Sequence, residues 1–391
     1  MLFKKSPLPS AFIRLCVGAL LFFLSFNLII PELPAMLRQL GGSEYLGWII
    51  PAFAMSALFA RPLSGWMADQ LGRKITMIVG CVFCIISGLV YPWIQGVLAF
   101  IVLRVFHGFS TGFTPTGFTS YTADIVSKEY RGRAMGWQGV FNNAGTSLGY
   151  GLGALIALHF SRDAMFYSSS ILALLALLVF SSLPETKKRP KNIRKPKLSL
   201  NEMVYLKAFQ PGVIMWLVCI PLGSMLTVMP DYTEGLGFDN KGLYLTWYIS
   251  FSLLFRLVSG KISDALGRPW STAIGTGLQI LSMIVLIYQS TAYFFYISAI
   301  LYGIGQGFNA PSLFAWASDV ASKENRGKSL STLFITLELG IIFGGLGSGY
   351  LLTKVNLGYS SVFTMNFVAF ALAFALSIYY IRSKQPIVND I

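Results

Sequence analysis

Residues 61–73 read Arg61-Pro62-Leu63-Ser64-Gly65-Trp66-Met67-Ala68-Asp69-Gln70-Leu71-Gly72-Arg73, and residues 256–268 read Arg256-Leu257-Val258-Ser259-Gly260-Lys261-Ile262-Ser263-Asp264-Ala265-Leu266-Gly267-Arg268. Arginine, serine, glycine, aspartate, leucine, glycine and arginine recur in step, 195 residues apart. At the same offset Asp124, Ser127, Lys128, Glu129, Arg131 and Gly132 meet Asp319, Ser322, Lys323, Glu324, Arg326 and Gly327. Two anchors sharing one offset mark an internal duplication of the chain.

The duplicated unit is apolar. Of 391 residues, 54% are hydrophobic and 12% charged, with a mean hydropathy of +0.63. That is too little polar surface to coat a water-soluble globule, so lipid is the solvent. Apolar runs of roughly 20 residues, enough to cross a hydrocarbon core at about 1.5 Å per residue, fall near 11–37, 45–69, 74–93, 97–121, 132–159, 164–183, 209–231, 242–264, 270–289, 292–319, 327–353 and 359–381. These runs are continuous rather than alternating, which excludes a barrel and makes them helices. The first run follows Lys4 and Lys5 as a signal peptide would, yet it is too long for one and contains Asn27 and Glu32, so it reads as a retained helix.

The formal net charge of +14 follows from topology rather than from nucleic-acid binding. Lys4, Lys5, Arg73, Lys74, Lys128 to Arg133, Lys187 to Lys197, Lys261, Arg268, Lys323 to Lys328, Arg382 and Lys384 fall in alternate loops, as the positive-inside rule requires of cytoplasmic segments. Both termini are therefore expected in the cytoplasm. The opposite loops carry Arg38, Arg162, Lys241 and Lys354 among Glu44, Asp163, Glu234 and Asp239. Six spans separate equivalent points, so the halves are expected as parallel repeats about an axis along the membrane normal. The expected organisation is a six-helix bundle over 1–184, a basic cytoplasmic linker over 185–207 and a second six-helix bundle over 208–391.

The stretch from Gly65 to Lys74 resembles the G-x-x-x-D-x-x-G-R-K loop between the second and third helices of the major facilitator superfamily of secondary transporters, and Gly260 to Arg268 repeats it. The resemblance implies an all-α membrane protein of twelve transmembrane helices in two bundles. It also implies a cytoplasmic latch of Gly65, Asp69, Gly72 and Arg73, with Gly260, Asp264, Gly267 and Arg268. Glu129, Arg131, Glu324 and Arg326 would extend its charge network, Asp69 reaching the start of the eleventh span and Asp264 that of the fifth. Physically, such glycines permit a close helix approach and a tight turn. An aspartate at a helix end accepts amides or pairs with a cation. A merely structural turn is the plainer alternative. Arg61 and Arg256 stand two turns inward on the same helix face as these aspartates, where snorkelling to the cytoplasmic surface competes with a functional role.

In the fourth span Arg104-Val105-Phe106-His107-Gly108-Phe109-Ser110-Thr111-Gly112 is similar to the family's R-x-x-x-G-x-x-x-G motif, with His107 where glutamine is common. The repeat partner of Arg104 is Ala299, and a cation kept in one half only points to the ligand or proton path. Gly136, Gly145, Gly149 and Gly153 in the fifth span are similar to the antiporter motif, from which Tyr150 and Ala154 depart. The same glycine spacing also serves plain helix packing.

Two carboxylates remain inside spans, Glu32 within Pro31-Glu32-Leu33-Pro34 and Glu338 within Leu337-Glu338-Leu339-Gly340. Desolvation favours the neutral acid, which suits reversible proton binding. Glu338 lies far from either membrane surface and is the sharper candidate, while Glu32 also reads as a residue of the outer mouth. Asn27, Gln138, Asn142, Asn143, Gln306 and Asn309 are candidate cavity residues, each equally readable as packing glue. Cys16, Cys81, Cys84 and Cys219 all fall in spans and His107 and His159 stand apart, so no disulfide framework, metal site or cofactor is expected. No nucleotide-binding loop or catalytic set is visible, which argues against an enzyme. The expected function is proton-coupled export, by a monomer in the cell inner membrane, of a small amphipathic molecule such as a drug, metabolite, siderophore or sugar. Uptake by symport and a non-transporting receptor or lipid scramblase are the alternatives.

Overall fold

The computed structural model describes residues 10–127, 130–186, 204–288, 291–322 and 325–383. Among them there are helices and no strands. In the first half these are α1 (Ser10–Leu28), α2 (Leu33–Gln39), α3 (Ile49–Gln70), α4 (Arg73–Val90), α5 (Val97–Ile125), α6 (Arg131–His159) and α7 (Arg162–Ser181). In the second they are α8 (Phe209–Gly235), α9 (Leu243–Leu266), α10 (Arg268–Tyr288), α11 (Ala292–Asp319), α12 (Arg326–Thr353) and α13 (Gly358–Arg382). The first expected span is thus α1 and α2 joined by a 3-10 turn, Ile30–Glu32. Pro31 and Pro34, at the starts of that turn and of α2, supply no backbone N–H to continue a regular ladder.

Among the described residues nine helical segments are long and apolar enough to cross a membrane, and ten if Leu243–Arg256 and Val258–Leu266, which meet at 55°, count as one. Two long helices fall outside that set, α6 and α11. Polarity explains both: α6 carries Arg131, Arg133, Gln138, Asn142 and Asn143, and α11 carries Gln306, Asn309 and Asp319. Such residues make transfer of a span into lipid less favourable without shortening it.

The chain divides into two compact units, Met1–Gly41 with Ala52–Lys197, and Gly42–Pro51 with Leu198–Ile391. In the first, α1 packs on α6 and α7, and α4 on α5 and α7. In the second, α8 packs on α12 and α13, and α10 on α11 and α13. Leu15, Phe22, Met77, Cys84, Phe118 and Phe180 anchor the core of the first unit. Much of the contact is backbone on backbone. Gly145, Gly149 and Gly153 of α6 lie against the carbonyls of Leu20, Leu24 and Leu28, leaving no room for a Cβ. In the second unit Gly340 and Gly344 of α12 meet the carbonyls of Trp216 and Ile220 in the same way. Gly108 lies on Phe53 and Gly112 on Ala57, while 195 residues later Gly303 lies on Tyr248 and Gly307 on Ser252.

One segment departs from the expected boundaries. Gly42–Pro51, which leads into α3, clusters with the second unit. There the Lys354 ammonium donates to Glu44 Oε2 at 2.7 Å, an interaction that raises the lysine above its ordinary pKa, and the Gly47 backbone lies against Gly349. Of the expected linker, 187–203 lies outside the described residues.

Because Gly149 abuts the Leu24 carbonyl and Asn27, Gly149→Leu forces α1 off α6. The substitution is expected to cost about 1–3 kcal/mol, read as a lower thermal midpoint of the purified protein. Gly65→Ala, whose added methyl finds no atom within 4 Å, is expected to leave that midpoint unchanged.

Candidate functional site

The repeated loop forms one ion cluster in each unit. Gly72 adopts φ 126° and Gly267 φ 94°, a region closed to side chains, so each turns the chain sharply between two helices. That turn sets Arg73 at the first position of α4 and Arg268 at the first position of α10. Arg73 donates to Asp69 at 2.7 Å and to Asp124 at 3.0 Å. Arg268 pairs with Asp264, and with Asp319 at 2.8 Å. Both three-residue clusters therefore sit at the same offset. Asp124 and Asp319, identified in the sequence only as repeat markers, are its inner carboxylates.

The first cluster has an addition that the sequence reading missed. The Glu185 carboxylate, just after α7, accepts the backbone N–H groups of Arg73 and Lys74 at 3.0 and 3.1 Å, and the Thr186 hydroxyl donates to Asp124 at 2.8 Å. It is an anion on the positive end of a helix, where two amides would otherwise lack partners. Gly72 has a second reason to be glycine, since a Cβ there would strike Glu185. The expected close approach at Gly65 and Gly260 is not found: a methyl at either meets open space. Arg131 donates to the Val126 carbonyl at 3.3 Å, closing the C-terminus of α5, and Arg326 is exposed at the start of α12. Glu129 and Glu324 lie outside the described residues.

The intramembrane candidates separate into three groups. Within the first unit, Arg104 is 1% exposed. Its guanidinium donates to the Tyr91 hydroxyl at 3.4 Å and stands 4.6 Å from the centre of the Phe53 ring. One turn on, His107 is fully buried with Nε2 3.4 Å from Cys84 Sγ, its ring edge-on to Phe53, and no partner on Nδ1. Cys84 continues to Ser25 at 3.1 Å, which donates to the Ser169 carbonyl. A buried polar chain thus joins α5, α4, α1 and α7, and Tyr91, Cys84 and Ser25 are members that the sequence reading did not select.

The second group is the side-chain amides. Asn27 donates to the Phe23 carbonyl at 2.7 Å and to Thr146 at 3.2 Å, fastening α1 to α6. Asn142 lies within that contact, its Oδ1 buried without a partner, and Asn143 is half-buried. In the second unit Asn309 donates to Gln279 Oε1 at 2.5 Å and Gln279 to Gln306 at 3.2 Å, an amide chain joining α10 and α11. Gln279, one polar residue in an apolar run, was the available and unread signal.

The third group is the carboxylates. Glu338 in α12 is 6% exposed, two residues from Gly340, which packs on Cys219 of α8. Glu32 is also 6% exposed, but Arg162 Nε stands 3.6 Å away and the same guanidinium donates to Gln39. It is thus one half of an ion pair. Lys241 with Glu234 and Lys354 with Glu44 are likewise paired at 3.1 and 2.7 Å.

The glycine stripe of α6 needs rereading in this light. Gly145, Gly149 and Gly153 pack on α1 as Gly340 and Gly344 pack on α8, so the spacing serves both units and does not single out a direction of transport. For the Glu185 cap, Glu185→Ala frees two amides at the start of α4 and is expected to cost about 1 kcal/mol. Thermal unfolding of the purified protein checks it, with Thr186→Val expected to cost less.

The family model for the Major Facilitator Superfamily matches residues 15–264 and 227–390. Multidrug resistance protein 1 of Bacillus subtilis (strain 168) is 23% identical over 367 residues, covering 91% of this chain and 92% of that protein. Quinolone resistance protein NorA of Staphylococcus aureus (strain MSSA476) is 30% identical over 218 residues, 54% of this chain and 56% of that protein. Among solved structures, the human organic anion transporter MFSD10 superposes with a TM-score of 0.73 at 20% identity, covering 94% of this chain and all of that one. With nine apolar spans among the described residues, two clustered units and a family match over nearly its whole length, the chain belongs to the Major Facilitator Superfamily.

Proposed function

We propose that this chain is a proton-coupled exporter of small amphipathic molecules in the bacterial inner membrane, working by alternating access of two six-helix bundles with both termini in the cytoplasm. The observation that carries the export reading is the match to a multidrug resistance protein over 91% of the chain. The repeated packing partners in the two units support a twelve-span parallel repeat, with α6 and α11 as its two most polar spans. Proton coupling rests on Glu338, a carboxylate withdrawn from water in an otherwise apolar stretch of α12. Proton binding there neutralises the site, and a proton and a substrate that favour different conformers suffice to couple their fluxes. Glu32 suits coupling less well, because it already faces Arg162 at 3.6 Å. The role of that pair is to fix the broken turn between α1 and α2. Arg104 and His107 place a fixed cation and a neutral-capable imidazole in the core of the first unit, where they act on substrate or proton binding through the buried chain they head.

The two ion clusters would serve as latches, since exposed pairs of this type contribute only about 0–1 kcal/mol each and are readily exchanged between conformers. Uptake by symport remains the alternative, because the glycine stripe shared by both units carries no directional information.

In proteoliposomes with an internal pH dye, a panel of amphipathic cations, zwitterions and sugars under an imposed proton gradient is expected to yield a compound that moves against the proton flux. Glu338→Gln is expected to reduce coupled flux at least about tenfold, the equivalent of 1.4 kcal/mol, and Glu32→Gln far less. Flux in the same direction as the proton would establish symport. Proton-independent flux would remove the coupling assignment.

A further inference from the structure

Arg73 and Arg268 pair with carboxylates, Arg104 with Tyr91, and Arg162 with Glu32 and Gln39. Arg256 of α9 has no such neighbour. No described residue hydrogen-bonds to its guanidinium or forms an ion pair with it, and its Nε is both shielded from solvent and without a partner. An ionised group inside a membrane span is costly to insert and ordinarily finds a counter-charge or a polar cavity.

Arg256 as a whole is half-buried, and three features weigh against snorkelling to the surface at the Asp264 end of its helix. The exposed side of α9 is made by Leu254, Val258, Lys261 and Ala265. Arg256 lies on the opposite side, in line with Ser252, Ser259 and Ser263, all buried. It stands eight residues, across the 55° bend, from the Asp264 end of α9. The Cα–Cβ bonds of a helix lean toward its N-terminus. In α9 that direction runs away from the Asp264 end, so snorkelling toward that surface works against the lean of the side chain.

The surroundings define what would satisfy it. Asp264 and Asp319 are both engaged by Arg268. Ser259 gives its hydroxyl proton to backbone carbonyls, with Gly307 O at 2.8 Å and Arg256 O at 3.3 Å, and no hydrogen bond joins its oxygen to the guanidinium. Further toward the helix N-terminus the same side carries Leu253 and Ile249, both apolar. A planar guanidinium fork beside apolar side chains complements an oxyanion joined to a hydrophobic body.

We propose that Arg256 is an oxyanion-binding site within the second unit, taking the carboxylate or phosphate of an amphipathic molecule. The carboxylate of a carried solute and the phosphate of an anionic lipid share this chemistry. The inference refines the substrate class of the proposed transporter, and it rests on that reading only for the fate of the ligand, not for its binding.

The test is equilibrium binding to the full-length protein in phosphatidylcholine nanodiscs, titrated with 2-naphthoate and with its neutral counterpart 2-naphthamide. Wild type is expected to prefer naphthoate about tenfold, or 1.4 kcal/mol. Arg256→Gln is expected to lose that preference and Arg256→Lys to keep part of it, which separates loss of charge from loss of fold. Discs containing phosphatidylglycerol distinguish the sources. If the lipid abolishes naphthoate binding, or raises the thermal midpoint of wild type but not of Arg256→Gln, the lipid phosphate is the occupant. If naphthoate binding is undiminished, the solute is. Equal binding of naphthoate and naphthamide to wild type, together with equal stabilisation of wild type and Arg256→Gln by phosphatidylglycerol, overturns the proposal. Because binding is read without flux, failure of transport in liposomes would leave this result standing.

Discussion

A helix in hydrocarbon satisfies its own backbone, and burying apolar side chains against a neighbour gains little when lipid is equally apolar. What remains to hold helices together is close contact and the few polar atoms that find each other. Both units of this protein are built on that constraint. Gly145, Gly149 and Gly153 let the α1 carbonyls approach α6 directly, and Gly340 and Gly344 do the same between α12 and α8. Where a glycine is missing, serine or amide groups join the helices, as Ser25 does with Ser169 and Asn309 with Gln279. The same scarcity of polar partners makes a charge with none conspicuous, so Arg256 stands out against neighbours that are paired.

The duplicated loop shows how a motif of fixed residue types acquires different detail in two places. The turn glycine, the arginine after it and the two aspartates recur in both clusters. Among the described residues, the first cluster alone gains such a cap, from Glu185 and Thr186, because α7 ends beside it at Ser181 and the chain there folds back. At the corresponding place in the second unit α13 continues as helix to Arg382. A symmetric ancestor and an asymmetric use are compatible when the difference lies in where a neighbouring helix stops.

Much of this was legible in the sequence for a physical reason. Hydropathy reports solvent, and the helices lie close to where the apolar runs fall. The offset of the two loops carried through to Arg73 with Asp124 and Arg268 with Asp319. What the sequence hid were pairings between distant residues. Nothing local to Glu32 indicates that Arg162 stands 3.6 Å from it. Hydropathy also cannot show that Gly42–Pro51 clusters with the second unit, since that depends on a fit against Gly349. Conversely, Gly65 and Gly260 carry the family spacing yet pack against nothing within 4 Å. A motif records a residue type without saying which conformer needs it.

The central claim is that each unit moves as a body and that substrate and proton shift their relative arrangement. Spin labels at Tyr130 and Leu266, exposed positions at the loop end of each unit, give a distance between the units, and labels at Tyr130 and Leu71 give one within the first. The account predicts an unchanging distance within the unit, and between units two populations whose ratio shifts with pH and with a transported compound. A single inter-unit distance insensitive to both would contradict it.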